Sequence, residues 1–376
     1  MPDAPSIAIR AAVRLRDAGP ATITEIARTL DVSRTSAEKA LAALEAQGVA
    51  VELITEMPSR AGRPARRYSF DAAGGTVVGV DIGAASVRVL VSDLAGRVIR
   101  QRTFPGITDL GDGAAQLTAV IECIRAALDG CPEVRAAGIS LPGIVDDEGR
   151  VIASVVIPEW SGVDVGTRLH RALGCPVAVD NGVRLAAVAE HHLGAGQYVD
   201  DLIYISVGRR IAMGLIVDGN PRRGVHHAAG DIGRLAFPEL TDATGGLSWK
   251  SAVSGADVFA RAAAGEPASQ SELARFIEKL SRGIAVLAMT IDPAMVIIGG
   301  GLSEAHDDLI VPLRRALTDK VGLPFSLSLT EARLGAAAAV HGALVVAFDR
   351  LSAHSHSLSG MPVPPITPLS DHENSP

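Results

Sequence analysis

Four polar side chains near residue 35 have the chemistry needed to bind DNA. Arg34, Thr35, Ser36 and Lys39 fall within six consecutive positions of a segment that reads as a short helix. Their guanidinium, hydroxyl and ammonium groups suit contacts to phosphates and to base edges. Ser33 is predicted as the N-cap of that helix, because its hydroxyl can accept a bond from a backbone N–H. We therefore expect these five residues to form a DNA-binding face.

The segment that must position these side chains, residues 21–47, predicts two short helices joined by a tight turn. Small and aliphatic residues recur there at the spacing of a helix-turn-helix (Ile26, Ala27, Leu30, Val32, Ala37 and Ala40). Asp31 lies at the turn, where its short polar side chain tolerates a left-handed backbone. Residues 6–17 predict a preceding amphipathic helix. The alternative interpretation is a small helical domain with no role in nucleic-acid binding.

A cluster of arginines follows the helix-turn-helix. Residues 49–54 alternate weakly like a strand, and residues 60–70 predict a second strand, so that the pair would form a wing. The tip of this wing carries four arginines: Arg60, Arg63, Arg66 and Arg67. Cationic side chains on a flexible tip can lie along a phosphate backbone or enter a minor groove. The alternative is a solvated linker, but the position after a helix-turn-helix favours a winged-helix DNA-binding domain over residues 1–71.

Length, charge and cysteine content limit the class of protein. The chain has 376 residues, of which 48% are hydrophobic and 20% are charged, as in globular proteins of two or three domains. Residues 1–70 contain ten Arg or Lys and eight Asp or Glu, although the net charge of the whole chain is −7. A slightly basic head on an acidic body predicts a local DNA footprint. The odd number of cysteines (Cys123, Cys131 and Cys175) and the lack of a leader or spanning segment predict a cytoplasmic protein with no membrane partner.

The rest of the chain predicts a mixed α/β body. Strands at 77–83 and 86–96, a helix at 113–129 and a strand at 136–140 indicate a first lobe, and a similar series begins after Cys175. Residues 351–376 are rich in Ser, Pro and His, and this composition predicts a disordered tail.

Several motifs resemble, in order and spacing, those of the repressor, ORF and kinase (ROK) family of sugar-responsive regulators and sugar kinases. They are AGRPARRY (61–68), VDIGAASVRVLVSDLAG (80–96), GISLPGIVDDEGRV (138–151), DNGVRLAAVAE (180–190), GDIG (230–233) and DPAMVIIGGGLS (292–303). The resemblance runs from about residue 8 to residue 348. It implies an N-terminal winged helix-turn-helix and a two-lobed, actin-like ATPase/sugar-kinase (ribonuclease H-like) fold, with lobes of about residues 72–180 and 181–350.

The same resemblance implies that this chain lacks residues on which the catalysis of the kinase members depends. The family's catalytic Asp, in Glu-Asn-Asp-x-Asn, corresponds to Gly182, which has no proton acceptor. The family's small Gly-Thr-Gly phosphate turn corresponds to Gly208-Arg209-Arg210, where bulky side chains replace small ones. We therefore expect no catalytic residue and no phosphoryl transfer. The retained Asp81-x-Gly83 and Gly299–Gly301 then read as strand-end turns.

The family's zinc site is also expected to be lost. Its His corresponds to Arg234, and no cysteine follows Cys175, whereas structural zinc requires closely spaced thiolate or imidazole ligands. We predict neither a metal nor another cofactor.

By resemblance, the effector cleft would be lined by Trp160, Asn181, Arg209, Arg210, Asp231, Arg234 and Lys250. The family's sugar-binding Glu, His and later Glu correspond to Asp231, Arg234 and Lys250. The added cations favour an anionic sugar derivative. The alternative is a decayed pocket, in which these cations pair with local carboxylates.

These observations together predict a transcriptional regulator, a repressor of carbohydrate-related genes. It would bind a palindromic operator in double-stranded DNA as a homodimer or tetramer. A sugar or an anionic sugar derivative would act by binding one of two conformational states more tightly. Two alternatives stay open: a carbohydrate kinase, and a regulator controlled by a protein partner.

Overall fold

The computed structural model of this chain describes residues 6–53, 66–302, 305–321, 327–354 and 360–368. The chain divides into two units. Unit 1 comprises Met1–Ile139, Val165–Ala178 and Ala343–Pro376, and unit 2 comprises Ser140–Asp164 and Val179–Gly342.

The first 70 residues of unit 1 form a winged helix. Its elements are α1 (Ile7–Ala18), β1 (Ala21–Thr22), α2 (Ile23–Leu30), α3 (Arg34–Ala46), β2 (Ala50–Leu53) and β3 (Arg67–Phe70). Thr22 and Glu25 form a reciprocal capping box that starts α2. Ser33 starts α3 as predicted, by accepting a bond from the backbone N–H of Ser36 at 3.1 Å. Asp31 takes the predicted left-handed conformation between the two helices, with φ at 54°.

A small apolar core holds the three helices of the winged helix against a three-stranded sheet. The strand order is β1-β3-β2, and β3 runs antiparallel to both neighbours. Leu15, Ile26, Leu41, Leu44 and Tyr68 are buried in this core. The predicted wing strands at 49–54 and 60–70 correspond to β2 and β3, and residues 54–65, which join them, lie outside the described residues.

The body contains the remaining elements in chain order. They are β4 (Thr76–Ile82), β5 (Ser86–Asp93), β6 (Val98–Pro105), α4 (Gly113–Leu128), β7 (Val134–Leu141), β8 (Ile144–Val145), β9 (Val151–Ala153), α5 (Val165–Leu173), β10 (Val177–Asn181), α6 (Gly182–Leu193), β11 (Leu202–Val207), β12 (Ile211–Val217), β13 (Asn220–Pro221), α7 (Gly233–Ala236), α8 (Gly255–Ala263), α9 (Pro267–Ile291), β14 (Met295–Gly299), α10 (Val311–Val321), β15 (Leu329–Glu331) and α11 (Ala338–His354). Short 3-10 turns occur at Pro158–Trp160 and Gly335–Ala337, and a π-helical turn at His306–Ile310.

Two five-stranded sheets organise this body. The first has the order β10-β7-β4-β5-β6, with β4, β5 and β6 as an antiparallel meander. The second, in unit 2, has the order β13-β12-β11-β14-β15, with β11 antiparallel to β12 and parallel to β14. Aliphatic residues of β11 and β14 are buried against α9, where Phe276, Leu280 and Ile284 face the core. The strands β4, β5, β11 and β14 are mostly buried and aliphatic, as expected for strands covered on both faces.

The two units correct the division into lobes of residues 72–180 and 181–350. Ser140–Asp164 belongs to unit 2, and the chain returns to unit 1 at Ala343. The return is explained by close packing of α11 on β7, because a Cβ at Gly138 would lie only 1.8 Å from the carbonyl oxygen of Ala343. A glycine at this position therefore lets the last helix join the first sheet.

The expectation of a disordered tail over residues 351–376 is wrong for part of that range. The helix α11 continues to His354, and residues 360–368 lie on unit 1. The backbone N–H of Thr367 donates to the carbonyl of Gly96 at 3.1 Å, and its carbonyl accepts from Val98 at 2.9 Å. Composition alone does not reveal such tertiary partners. Within the described ranges, no helix combines the length and the apolar character needed to cross a membrane.

Candidate nucleic-acid interface and effector region

The first turns of α3 present the predicted DNA-binding side chains to solvent. Arg34, Thr35 and Lys39 are exposed, whereas Ser36 is half-buried. The Arg34 Nε lies 3.0 Å from Glu38 Oε1, one turn along the same exposed face. An exposed pair of this kind contributes little stability, so a DNA phosphate can replace the carboxylate as the partner of Arg34.

Ser33 and Ser36 shape the start of α3. Their hydroxyl oxygens lie 2.9 Å apart, and that of Ser33 also accepts the capping bond. The other N–H groups of a first helical turn point outward and attract anions such as phosphate. The two serines thus act on the backbone at the helix N-terminus, where a DNA phosphate could be bound.

Two of the four arginines predicted for the wing, Arg66 and Arg67, lie in the described residues. Arg66 forms an ion pair with Glu52 across the strands, and its guanidinium carbon lies 5.5 Å from the ring centre of Tyr68. The hydrogen bond to Glu52 raises the pKa of Arg66. Arg67 donates to the carbonyl of Pro20 at 2.8 Å. Both side chains are exposed, while Arg60 and Arg63 lie outside the described residues.

The end of α3 is bonded to the body of unit 1. Arg135, on β7, donates to the carbonyl of Gln47 at 3.0 Å. A guanidinium at a helix C-terminus also stabilises the negative end of the helix dipole. The segment between β3 and β4 also packs closely on the end of α3, since a Cβ at Gly74 would lie 2.1 Å from the carbonyl oxygen of Gly48. The C-terminal end of α3 is therefore hydrogen-bonded to β7.

Unit 2 contains a partly buried network of charges around Asp180 and Arg184, in the segment that the sequence motifs matched to the catalytic motif of the family's kinases. Asp180 and Arg184 form an ion pair, and each residue is only 3% exposed. Arg223 lies 2.8 Å from Asp180 through one nitrogen and 2.8 Å from Asp147 through another. Arg184 also donates to the carbonyl of His227 at 3.0 Å. Burial lowers the pKa of Arg184, and the nearby Asp180 opposes that shift.

Asn181 and Gly182 lie between these charges at the start of α6. The side-chain oxygen of Asn181 caps the helix by accepting from Val183 at 2.9 Å, and its amide donates to the carbonyl of Gly143 at 2.8 Å. Gly182, which the sequence motifs matched to the family's catalytic base, has no side chain. Both polar groups of Asn181 are thus engaged in holding the local backbone.

Two nitrogen atoms of this network have no hydrogen-bond partner among the described residues: Nε of Arg184 and Nδ1 of His227. The His227 nitrogen lies 3.9 Å from Asp147 Oδ1, which is too long for a hydrogen bond. Four members of the network (Asp147, Arg184, Arg223 and His227) were not among the predicted site residues. Helical spacing gives no sequence signal for the pair of Asp180 and Arg184, because Asp180 lies at the end of β10 and only Arg184 lies on α6.

The turn Gly208–Arg210, which the sequence motifs matched to the family's phosphate turn, is closed by backbone pairing. Gly208–Arg210 joins β11 to β12, and the carbonyl of Arg209 accepts from Leu247 at 2.8 Å. Arg210 forms a β-bridge with Gly246, and its guanidinium donates to the carbonyl of Thr244. Arg210 is therefore bonded within its own segment, whereas Arg209 is exposed.

The other predicted effector residues differ in how far they are exposed to solvent. Trp160 is fully buried, and its indole nitrogen has no partner among the described residues. Asp231, Arg234 and Lys250 are exposed. Arg210 and Arg234 both approach Gly245, but the described contacts include no hydrogen bond between any two of the seven predicted effector residues. Within the described ranges, no three His, Cys, Asp or Glu side chains are grouped so that they could hold a metal ion.

Comparison with protein-family models gives two matches, over residues 77–246 and 239–350, both to the ROK family. The chain belongs to the ROK family. The resemblance expected from the sequence motifs is thereby confirmed. The fold class is confirmed as well, since the winged helix precedes a two-unit α/β body of the ROK type.

Both regulators and kinases are similar to this ROK chain. The xylose repressor of Caldicellulosiruptor bescii is 22% identical over 369 residues, covering 88% of this chain and 92% of the repressor. The glucokinase of Halalkalibacterium halodurans is 25% identical over 278 residues, covering 63% of this chain and 84% of the glucokinase. The crystal structure of a ROK family transcriptional regulator, a homologue of the E. coli Mlc protein, matches with a TM-score of 0.72 and 21% identity, covering 92% of this chain and 95% of that one.

Proposed function

We propose that this ROK protein is a DNA-binding transcriptional regulator with no sugar-kinase activity. The observation that carries the proposal is the exposed face of α3, where Arg34, Thr35 and Lys39 stand beside a wing that bears Arg66 and Arg67. A match over 88% of the chain to a xylose repressor supports it. Such a match includes part of the winged helix, because the residues after Phe70 make up less than that share of the chain.

The lack of kinase activity is proposed from the residues at the start of α6. A general base must accept a proton from the sugar hydroxyl, and Gly182 offers no acceptor. The nearest carboxylate in the chain, Asp180, is buried and bonded to Arg184 and Arg223. Its oxygens are engaged with two guanidinium groups, so Asp180 does not replace the missing base.

A carbohydrate kinase is the second candidate, because a glucokinase is 25% identical to this chain. ATP turnover in the presence of neutral sugars separates the two. Sugar-dependent release of ADP at the rate of an authentic ROK kinase, measured side by side, would support the second candidate and overturn the first.

We further propose that the effector is an anionic sugar derivative, bound by the exposed cations Arg209, Arg234 and Lys250 of unit 2. Arg210 is excluded from this set because it is bonded to Thr244. Calorimetric titration with matched neutral and phosphorylated sugars tests the proposal, with an Arg209→Ala, Arg234→Ala variant as control. Binding of the neutral sugars alone contradicts it, and binding of neither is the outcome expected for a decayed pocket or for control by a protein partner.

The regulator is proposed to act in the cytoplasm as a homodimer or tetramer, with its DNA-binding domain at residues 1–71 and the ROK body at 72–350. A symmetric dimer presents two recognition helices, and a palindromic operator matches that symmetry. The winged helix and the sugar-related relatives together support repression of carbohydrate genes as its function.

Selection of sheared genomic DNA by the full chain tests the proposed function directly. The expected result is a shared palindrome, bound at nanomolar concentration and with a steep dependence on salt. Weak binding without sequence preference, in the presence and absence of sugars and sugar phosphates, would contradict the proposal.

A further inference from the structure

The segment Gly360–Pro368, which we call the strap, touches both the winged helix and the body of unit 1. We propose that the strap fastens the winged helix to the body and so fixes the direction of the DNA-binding face. The attachment is argued from contacts within unit 1, and only its consequence for operator binding rests on the proposed function.

One end of the strap is anchored on the winged helix. Met361 packs against the apolar core of that domain. The side chain of Arg16, on α1, donates to the carbonyl of Pro362 at 3.0 Å. Val49 and Phe70 line an apolar pocket together with Met361 and Pro362. Met361 is partly buried there, so this end is held by packing as well as by a hydrogen bond.

The other end of the strap is anchored on the turn between β5 and β6. Thr367 pairs with this turn through both its backbone N–H, bonded to Gly96, and its carbonyl, bonded to Val98. The fit at Gly96 is close, since a Cβ there would lie 2.5 Å from the carbonyl oxygen of Pro365 and 2.9 Å from the ring of Pro364. The strap therefore extends the hydrogen bonding of the first sheet at the start of its edge strand.

The helix α11 leads into the strap. Phe348 and Leu351 of α11 line the same apolar pocket as Met361 and Pro364. This helix starts in unit 2 at Ala338 and ends in unit 1 at His354. Within unit 2, the segment before α11 is held by the buried Glu190, which accepts from the backbone N–H groups of Arg333 and Leu334. The strap thus packs beside the part of α11 that belongs to unit 1.

The composition of the strap suits a stiff connector. Four of its nine residues are proline: Pro362, Pro364, Pro365 and Pro368. Each proline has its φ fixed by the ring, so ordering the segment costs less conformational entropy than ordering most other sequences of this length. The same feature makes an ordered strap rigid, which lets it hold a domain in one orientation.

A fixed orientation matters for a palindrome and not for a single half-site. In a dimer, binding of the second winged helix is intramolecular, and its strength depends on how often that head is correctly placed. A winged helix that is not held by the strap samples many orientations. This lowers its effective concentration at the second half-site. Contacts within one half-site are unchanged.

Gly96→Ala in the full chain tests the strap, and Gly130→Ala is its matched control. Both glycines have a left-handed backbone, with φ at 87° and 71°, so alanine strains both turns. Only at Gly96 does the new methyl group meet the strap, because nothing lies within 4 Å of a Cβ at Gly130. A chain that ends at residue 359 removes the strap altogether and serves as the second variant.

Hydrogen exchange measures the attachment without DNA. We expect amide exchange at Val98 and in α1 to accelerate about tenfold in Gly96→Ala and in the shortened chain, and to stay unchanged in Gly130→Ala. On duplexes, we expect both strap variants to bind a single half-site like the natural chain and to bind a full palindrome about tenfold more weakly.

Three results overturn the proposal. Unchanged exchange in both strap variants shows that the strap does not hold the winged helix, and an equal effect of Gly130→Ala shows that turn strain is the cause. Faster exchange with full affinity for the palindrome shows that orientation is not what the strap controls. Failure of the natural chain to bind any DNA contradicts the proposed function instead. In that case hydrogen exchange alone tests whether the strap holds the winged helix.

Discussion

The guanidinium of Arg223, which is half-buried, lies 2.8 Å from the buried carboxylate of Asp180, just before the first turn of α6. Through its other nitrogen Arg223 reaches Asp147, and Arg184 pairs with Asp180 from the opposite side. Two carboxylates and two guanidinium groups thus balance in charge. This network joins the end of β10 and the start of α6 to the segments that contain Asp147 and Arg223.

Asp180→Asn should destabilise the protein strongly. The change leaves Arg184, which is 3% exposed, without its paired carboxylate in a buried site. Removing one partner of a buried ion pair costs about 3–5 kcal/mol, so we expect a fall of about 3 kcal/mol in the free energy of unfolding. Urea unfolding followed by circular dichroism measures it. Glu278→Gln, which removes the exposed partner of Arg282, is the control and should cost less than about 0.5 kcal/mol.

Gly182→Asp should not create a kinase. An aspartate in the first turn of α6 suits the helix dipole, so the fold should be kept. The phosphate turn still carries Arg209 and Arg210, and Asp180 still bonds to two guanidinium groups. A coupled assay of ADP release over a panel of neutral sugars should give the same background for this variant and the natural chain. Sugar-dependent release above that background would mean that Gly182 alone blocks catalysis.

Lys39→Ala should weaken DNA binding to all sequences alike. Its ammonium group is exposed on α3 and suits a phosphate contact. Loss of one such contact lowers the slope of log affinity against log salt by about 1. Arg34→Ala should instead cost about tenfold in affinity for the preferred site and relax its sequence preference. Anisotropy titrations at several salt concentrations distinguish the two effects.

Arg102→Ala is the matched control for both changes, because Arg102 is an exposed arginine on β6, outside the winged helix. It changes the net charge by the same amount. If it lowers affinity as much as Lys39→Ala does, the effect is one of overall charge, and the assignment of α3 as the DNA-binding element is wrong.

Glu272→Gln should destabilise unit 2 at neutral pH and not in acid. Burial would raise the pKa of Glu272, but hydrogen bonds from Ser251 and Lys250 outweigh it and hold the pKa below its usual value of 4.5. A carboxylate with a lowered folded-state pKa stabilises the protein above its unfolded-state pKa and loses that effect as the pH falls through the folded-state value. We expect a cost of about 1 kcal/mol at pH 7 that shrinks below pH 4.5.

Thermal unfolding of Glu272→Gln and of the natural chain between pH 7 and pH 3.5 measures this difference. The exposed Glu159→Gln serves as the control, with no difference expected at any pH. A difference that persists unchanged in acid would show that the glutamate acts through packing and not through its charge.

Local patterns were sufficient to predict the winged helix and most strands of the body. The turn at Asp31, the cap at Ser33 and the apolar spacing of α2 and α3 are all settled by neighbours in the chain. The strands β4, β5 and β11 are runs of Val and Ile that end at Gly or Asp, and their bounds follow the sequence closely. Such elements depend on interactions a few residues apart, which a single sequence reveals.

The features that escaped prediction depend on partners far apart in the chain. Arg223 meets Asp180 across 43 positions, and Thr367 meets Gly96 across more than 200. The proline-rich composition of residues 360–368 is typical of disorder, and only the pairing with Gly96 and the packing of Met361 make it ordered. The return of α11 to the first sheet likewise depends on a close contact at Gly138 that has no signature of its own.

The discontinuity of unit 1 has a consequence for protein synthesis. A ribosome finishes the winged helix early, yet unit 1 also needs the residues from Ala343 onward, which are translated after the whole of unit 2. Domains tend to fold during translation as their residues emerge, so unit 2 can fold before the strap is available to hold the winged helix. A nascent chain, or one truncated before Gly360, therefore carries a folded winged helix whose orientation the strap does not yet fix. On the proposed function, paired half-sites would be bound tightly only after Gly360–Pro368 has been translated.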